Sequence, residues 1–159
     1  MKYYSPALWL KSQCASENDE ALYKTLDENR KNYNEAYQKT RSRLSKKFVR
    51  IYEANHFFHD WCIESVTYIN TPNKVRDRFV MQITNFSRKY ELSFYKVQDF
   101  KMQINGSETG LGLIWEMEEF SYAEFLLAEN NRISFELLTP TFSSIFFTCK
   151  GVTVKTMNR

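Results

Sequence analysis

Both histidines of this chain stand in one short stretch, ANHFFHDWCIES at residues 54–65. His56 and His59 are followed by Asp60 and then by Cys62. Imidazole, carboxylate and thiolate are the groups that bind zinc, and histidines three residues apart on one helical face can share an ion. A cysteine beside a histidine can also act as a nucleophile. One hypothesis is therefore a small metal-dependent or Cys/His hydrolase centred on residues 56–62.

The same stretch can instead be the junction where a helix ends and a strand begins. Zinc needs at least three protein ligands, yet the chain has no third histidine, and Cys14 and Cys149 are far away in sequence. A histidine near a helix C-terminus suits the helix dipole, and an aspartate can fix the following turn. We therefore expect His59 and Asp60 to form a structural junction, with no metal, no cofactor and no catalytic residue.

The elements before this junction are predicted to be helical. Between Pro6 and Pro72 the sequence has neither glycine nor proline, the residues that most often interrupt regular structure. Ser16 is the predicted N-cap of a helix that starts near Glu17, with a break favoured near residues 29–34. Apolar side chains form one stripe at helical spacing: Leu22, Leu26, Tyr33, Tyr37, Leu44, Phe48 and Ile51. The opposite side carries what we name the basic helical face: Lys39, Arg43, Lys46 and Arg50.

The elements after His59 are predicted to be strands. Short runs rich in β-branched and aromatic residues alternate with turn signals. The runs are residues 61–70, 78–86, 90–104, 112–121, 122–129, 132–138, 143–149 and 152–157. The gaps are too short for crossover helices, so the strands should be antiparallel. The predicted fold class is α+β, with a long N-terminal amphipathic helical segment packed on an antiparallel β-sheet or β-sandwich. It forms one domain over residues 1–159, helical over 1–58 and β over 59–159.

Charge is distributed unevenly along the chain, although the net charge is only +3. Nine Lys or Arg face three acids over residues 24–50, whereas seven Glu face only Arg132 over residues 106–140. The acidic half would repel a phosphate backbone, so nucleic acid is not an expected partner. Clustered glutamates beside aromatic anchors suit a basic, toxin-like protein partner instead. The predicted partner-binding residues are Trp115, Glu116, Glu118, Glu119, Tyr122 and Glu124.

Compartment and assembly are read from the cysteines and the N-terminus. Three widely spaced cysteines do not suggest a disulfide framework, and no apolar run has the length of a signal peptide or membrane span. We therefore expect a cytoplasmic protein that does not enter a membrane. Tyr3, Tyr4, Leu8, Trp9 and Leu10 form an aromatic-apolar patch. This patch either covers the sheet or pairs two copies, which makes a homo-oligomeric structural protein a further hypothesis.

Two segments carry a resemblance to a group of bacterial domains. LSKKFVRIYEANHFFHDWCIESVTYI (44–69) resembles a helix that ends in a Phe-His-Asp step, and GLIWEMEEFSYAEFLLAENNRISFELL (112–138) resembles a Trp-x-x-Glu strand with a following hairpin. The matching positions are Phe58, His59, Asp60, Ile63, Trp115 and Glu118. Such domains of unknown function are similar to immunity-type proteins of polymorphic toxin systems. The resemblance implies an α+β fold without established enzymatic activity. The leading hypothesis is a non-catalytic protein-binding module of immunity-like type.

Overall fold

Helices come first in the chain and strands follow. The computed structural model describes residues 2–14, 19–70, 77–103, 107–109, 112–114, 120–140 and 143–158. The helices are α1 (Pro6–Gln13), α2 (Glu20–Arg41) and α3 (Lys46–Ala54). The strands within these ranges are β1 (Cys62–Ile69), β2 (Arg78–Thr84), β3 (Lys89–Tyr95), β4 (Gln98–Gln103), β5 (Ser107–Thr109), β6 (Gly112–Ile114), β7 (Tyr122–Ala128), β8 (Arg132–Leu138), β9 (Ser144–Cys149) and β10 (Gly151–Met157). Short 3₁₀ turns occupy His56–Phe58 and Glu129–Asn131.

The predicted long helix is divided, but the division does not fall where the sequence favoured it. Helix α2 continues through residues 29–34 and ends at Arg41. Helix α3 begins after Ser45, whose hydroxyl accepts a hydrogen bond from the Phe48 N–H. Asp19 caps α2 by accepting from the Leu22 N–H at 3.1 Å, whereas the predicted cap at Ser16 lies outside the described residues. A favourable cap therefore fixed the break, and buried packing kept residues 29–34 helical despite their weak propensity.

The two faces of α2 and α3 differ in burial as predicted. The apolar stripe is buried at five positions, with Leu26 and Ile51 half-buried, and all four residues of the basic helical face are exposed. Tyr33, Tyr37 and Tyr52 meet in what we name the buried tyrosine cluster, with ring centroids 6.1 Å apart for each neighbouring pair. Burial of the apolar stripe is what holds the helices on the rest of the protein.

The strands form two antiparallel four-stranded sheets, in the orders β1-β2-β3-β10 and β4-β9-β8-β7, and β5 and β6 form a separate hairpin. Phenylalanine rings from the two larger sheets meet between them. Phe94 lies 4.9 Å from Phe135, and Phe79 lies 5.0 Å from Phe147, between ring centroids. The α+β class and the antiparallel sandwich are thus confirmed, with a core that is dense in aromatic rings.

The predicted strand at 90–104 is two strands in different sheets. Lys96 adopts a left-handed backbone (φ 53°) directly after β3, and its carbonyl accepts a hydrogen bond from the Arg132 guanidinium. Val97 is buried, and β4 then joins the second sheet. The residue composition stays strand-like through this corner, which is why the pattern did not reveal it. The corner carries the chain from one layer of the sandwich to the other.

The helices cover one side of the sandwich. Helix α2 packs along β7, and α3 packs against β10. Phe125 of β7 joins the helical and sheet parts, since its ring lies 5.4 Å from Phe48 and 4.9 Å from Phe135. Apart from Leu22 and Leu138, the buried hydrophobic side chains of α2, α3 and both larger sheets therefore belong to one cluster. Within the described ranges, no helix combines the length and the apolar character needed to cross a bilayer.

Candidate functional site

The histidines lie in a left-handed turn, which we name the histidine turn (residues 55–60). His56, Phe57 and Phe58 have φ of 50°, 58° and 58°, and Asp60 has φ of 63°. Left-handed backbone conformations are uncommon for residues other than glycine, above all for bulky ones, and cost about 1–3 kcal/mol each. Three such residues in succession persist only because the surroundings hold them. Strain of this kind is frequent at binding and catalytic sites.

Phe58 anchors the histidine turn. Its ring is fully buried and contacts Phe48 at the start of α3 and Trp61 before β1, with ring centroids 6.4 and 5.2 Å away. The backbone is fixed as well, because the Asp60 N–H donates to the Phe120 carbonyl at 3.0 Å and the Phe120 N–H donates to the Trp61 carbonyl at 2.9 Å. The turn is therefore a rigid part of the fold, tied to the segment that leads into β7.

A cleft opens between this turn, α2 and the start of β7; we name it the histidine cleft. Its volume is about 360 Å³, within the usual range for a ligand site. The lining residues are Tyr4, Leu26, Arg30, Tyr33, Asn34, His56, Phe57, His59, Phe120, Ser121, Tyr122 and Ala123. Helix α2 supplies one wall, the histidine turn another, and the N-terminal segment and β7 a third. Five of these twelve residues are Phe or Tyr, and hydrogen-bonding groups are interspersed among them.

The polar side chains that the structure describes in the lining of the histidine cleft are uncharged or cationic, because no Asp or Glu is among them. Two carboxylates stand just outside and pair with lining residues. Asp27 lies 3.3 Å from the Arg30 guanidinium, and Asp60 Oδ1 lies 2.7 Å from His59 Nδ1. The Arg30 and Asp27 side chains are 68% and 73% exposed, so this pair contributes little to folding stability. Arg30 is thus available to an incoming anion.

The N-terminal wall of the cleft is held by Glu124. This side chain is only 1% exposed, and its carboxylate accepts hydrogen bonds from the backbone N–H groups of Lys2, Tyr3 and Tyr4 at 2.8–2.9 Å. We name residues 2–4 the N-terminal strap. A carboxylate that accepts from three successive backbone amides neutralises its charge locally and fixes the segment that supplies them.

Tyr4 places the strap against β7. Its ring stacks on Tyr122, with centroids 4.6 Å apart and planes inclined by 4°. Burial raises the pKa of both hydroxyls, while the nearby Arg30 guanidinium acts in the opposite direction. Tyr3 and Tyr4 also contact Tyr33, so these two residues of the N-terminal patch cover the fold of their own chain. Whether the remaining patch pairs two copies stays a prediction.

The structure separates the four residues that the sequence grouped. His56 and His59 both line the cleft, but Cys62 does not; it lies half-buried in β1. Among the residues that the structure describes, no group of three or more His, Cys, Asp or Glu side chains is placed to hold a metal ion. The alternative metal set His56, His59 and Cys62 therefore receives no support from the geometry.

The structural junction at His59 and Asp60 differs in detail from the expectation. The His59 ring packs edge-on against Tyr122, with centroids 5.9 Å apart. Asp60 bridges the turn through its backbone N–H, whereas its side chain is 74% exposed and contacts His59. The bridge across the turn is therefore made by the Asp60 backbone, while the Asp60 side chain contacts His59.

The predicted acidic surface is described at one of its glutamates only. Trp115, Glu116, Glu118 and Glu119 lie outside the described residues. Glu124, expected to face a basic partner, is buried under the strap and is not on an outer surface. Tyr122 is half-buried and lines the histidine cleft. Alternation along a strand could not reveal that Glu124 faces backbone amides from the other end of the chain.

Sequence reasoning did not connect Arg30 or Tyr4 with the histidines. Arg30 stands four positions after Leu26 and three before Tyr33 on α2, so helical spacing alone would have placed it at the edge of the apolar stripe. Tyr4 carried no such signal, because its position depends on the Glu124 contact, which joins residues 120 positions apart.

Comparison with known proteins finds no family model that matches the chain and no characterised protein with significant similarity.

Proposed function

We propose that this protein is a non-catalytic protein-binding module that receives part of its partner in the histidine cleft. The observation that carries the proposal is the cleft itself, a concave site lined by aromatic rings, one arginine and two imidazoles. Aromatic residues and arginine dominate the energetic centres of protein interfaces. Phe57 and both histidines are presented by a strained but anchored turn, which keeps them organised before a partner arrives.

Exposed aromatic residues extend the cleft outward. Phe57 is 41% exposed although its ring contacts Tyr37 and Tyr52 edge-on, with centroids 5.8 and 5.1 Å away. Tyr23 is also exposed and precedes Leu26 by three positions, so it lies on the same face of α2. An exposed aromatic ring next to a cleft suits a docking site, because water is released from both when a partner binds.

The immunity-like form of this proposal depends on the resemblance at Phe58, His59, Asp60 and Ile63. In that form, the partner is a toxin whose activity this chain blocks by binding. The basic toxin-like partner expected for the acidic surface remains a separate prediction, which concerns Glu116, Glu118 and Glu119.

Site-specific crosslinking tests the proposed docking site. A photo-reactive phenylalanine analogue at Phe57 should capture a protein partner in the cells that produce this chain. The matched control places the same analogue at Tyr95, which is similarly exposed. Tyr95 is the last residue of β3, whereas the first residue of β3 follows Arg88, which donates a hydrogen bond to Asn55 in the histidine turn. One defined product from position 57 and none from position 95 is the expected result. Equal capture at both positions, or none at either, would remove the proposal.

A hydrolase is the second candidate, and one contact favours it. The Nδ1 atom of His59 lies 2.7 Å from the Asp60 carboxylate, which leaves Nε2 as the nitrogen that could accept a proton. Ser121 lines the same cleft and offers a hydroxyl, while Cys62 does not line it. Hydrolysis of activated esters or peptides by the purified protein, lost on His59→Gln, would establish this candidate in place of a binding module. Equal rates for both proteins would exclude it.

A further inference from the structure

The charges around the histidine cleft indicate what kind of group it takes. Arg30 is cationic, and no carboxylate is among the lining residues that the structure describes. The carboxylates that face these groups from outside are Asp27 beside Arg30 and Asp60 beside His59, and the buried Glu124 lies behind the strap. Glu124 is already surrounded by three backbone N–H groups, so its charge is locally compensated. Arg30 is therefore the charged side chain that the described lining offers to a ligand, and a guanidinium suits an anion.

Arg30 has the geometry to bind that anion. Its present contact with Asp27 is a single exposed pair one helical turn apart, at 3.3 Å. Such exposed pairs contribute little, so replacing Asp27 by a carboxylate of the partner costs little. A guanidinium can donate two parallel hydrogen bonds to one carboxylate, and Asn34, one turn further along α2, adds a further donor in the lining.

The rest of the cleft suits an aromatic ring. Phe57 contacts Tyr37 and Tyr52 at nearly right angles, 88° and 83°, and it is 41% exposed. Another part of the lining is the stacked pair of Tyr4 and Tyr122. Rings prefer offset-stacked or edge-to-face contacts, and a cleft of about 360 Å³ has space for one ring and one carboxylate.

We infer that the histidine cleft recognises a protein segment in which Asp or Glu adjoins Phe, Tyr or Trp, with the carboxylate on Arg30 and the ring against Phe57. This inference rests on the proposed protein-binding function and specifies the partner. It reverses the sign of the charge expected from the sequence, since the partner is acidic at this contact. A free aromatic acid is the competing occupant, and the test below separates the two.

The test uses the full-length, isotopically labelled protein and two defined probes, acetyl-Glu-Phe-amide and acetyl-Gln-Phe-amide. Titration followed by nuclear magnetic resonance should shift the signals of His56, Phe57 and Arg30. Because a charge-assisted bidentate contact is about twice as strong as a neutral one, the Glu probe should bind at least about five-fold more tightly than the Gln probe. Added salt should reduce that difference.

Arg30→Gln should abolish the preference for the Glu probe. The matched control is Arg43→Gln, which removes an exposed cation that does not line the cleft and should leave the preference intact. Equal affinity for the two probes, or shifts located away from the cleft, would overturn the inference. Tighter binding of phenylacetate than of the Glu probe would also overturn it, in favour of a small-molecule site. Crosslinking from position 57 can still succeed in these cases, so failure here is distinguishable from failure of the protein-binding function.

Discussion

Replacing Glu124 by Gln should detach the N-terminal strap and lower the stability of the whole fold. In the wild-type protein, Oε1 accepts from the Tyr3 and Tyr4 N–H groups and Oε2 accepts from the Lys2 N–H. A glutamine can keep one oxygen in the first position, but it must place an NH₂ group against the Lys2 N–H. Two donors then face each other, and the two remaining hydrogen bonds lose their charge.

The size of the effect follows from these contacts. A hydrogen bond to a charged group contributes about 1.5–3 kcal/mol, and a neutral one about half as much. Loss of one bond and weakening of two gives roughly 3–6 kcal/mol. Burying a neutral amide costs less than burying a carboxylate, and this difference in desolvation offsets roughly 1–3 kcal/mol of the loss. The expected net loss is about 2–4 kcal/mol, equivalent to a melting temperature roughly 5–12 °C lower for a chain of this size.

Thermal denaturation and amide hydrogen exchange measure the two parts of this prediction. Glu129→Gln is the matched control, because Glu129 follows β7 in an exposed turn. Exchange at Tyr3 and Tyr4 should accelerate in Glu124→Gln and stay slow in the control. A melting temperature within about 1 °C of wild type, with the strap amides still protected, would refute this account of the strap.

Three further predictions follow from the same structure. Asp60→Ala should cost less than about 1 kcal/mol in urea denaturation, because its side chain is largely exposed and only its backbone bridges the turn; a loss above about 2 kcal/mol would restore the capping role. Reversing all four cations of the basic helical face to Glu should shift thermal melting by only a few degrees, since exposed charges contribute little, and complete unfolding would contradict this. Burial raises the pKa values of the buried tyrosine cluster above the ordinary 10.0. The unfolded chain therefore loses these protons first, so stability is intact below about pH 10 and falls above it; the three cluster tyrosines, followed by their own nuclear magnetic resonance signals, should ionise only together with loss of circular dichroism, and their ionisation in the folded protein would count against this sign.

The fold could be predicted largely from local patterns. Helical spacing identified the apolar stripe and the basic helical face, and alternation located β8 at Arg132–Leu138 without error. These signals depend only on neighbours within one or two turns or along one strand. The corner at Lys96 left no such signal, because a left-handed residue between two strand-like runs does not interrupt hydrophobic alternation. The continuation of α2 through residues 29–34 left no signal in the sequence either, because it depends on burial of Tyr33.

The candidate site could be predicted only in part. The histidine turn was identified as important from residue types alone, and its two histidines do line one cleft. The alternative that grouped Cys62 with the histidines receives no support, because Cys62 belongs to β1 and does not line the cleft. Glu124 was misplaced because its partners are backbone amides, which have no sequence signature. Contacts of that kind, between residues more than 100 positions apart, require the folded structure.

The order of strands in the two sheets has a consequence for how the chain is made by the ribosome. Strand β3 pairs with β10, and β4 pairs with β9, so each sheet contains a strand from late in the chain. Neither layer is complete until those late strands have left the exit tunnel, and until then rings such as Phe94 and Phe79 lack their cover. Such non-local pairing folds slowly, in roughly milliseconds to seconds. We therefore expect the nascent chain to depend on chaperones, and yield in the cell to be sensitive to translation rate near β9 and β10.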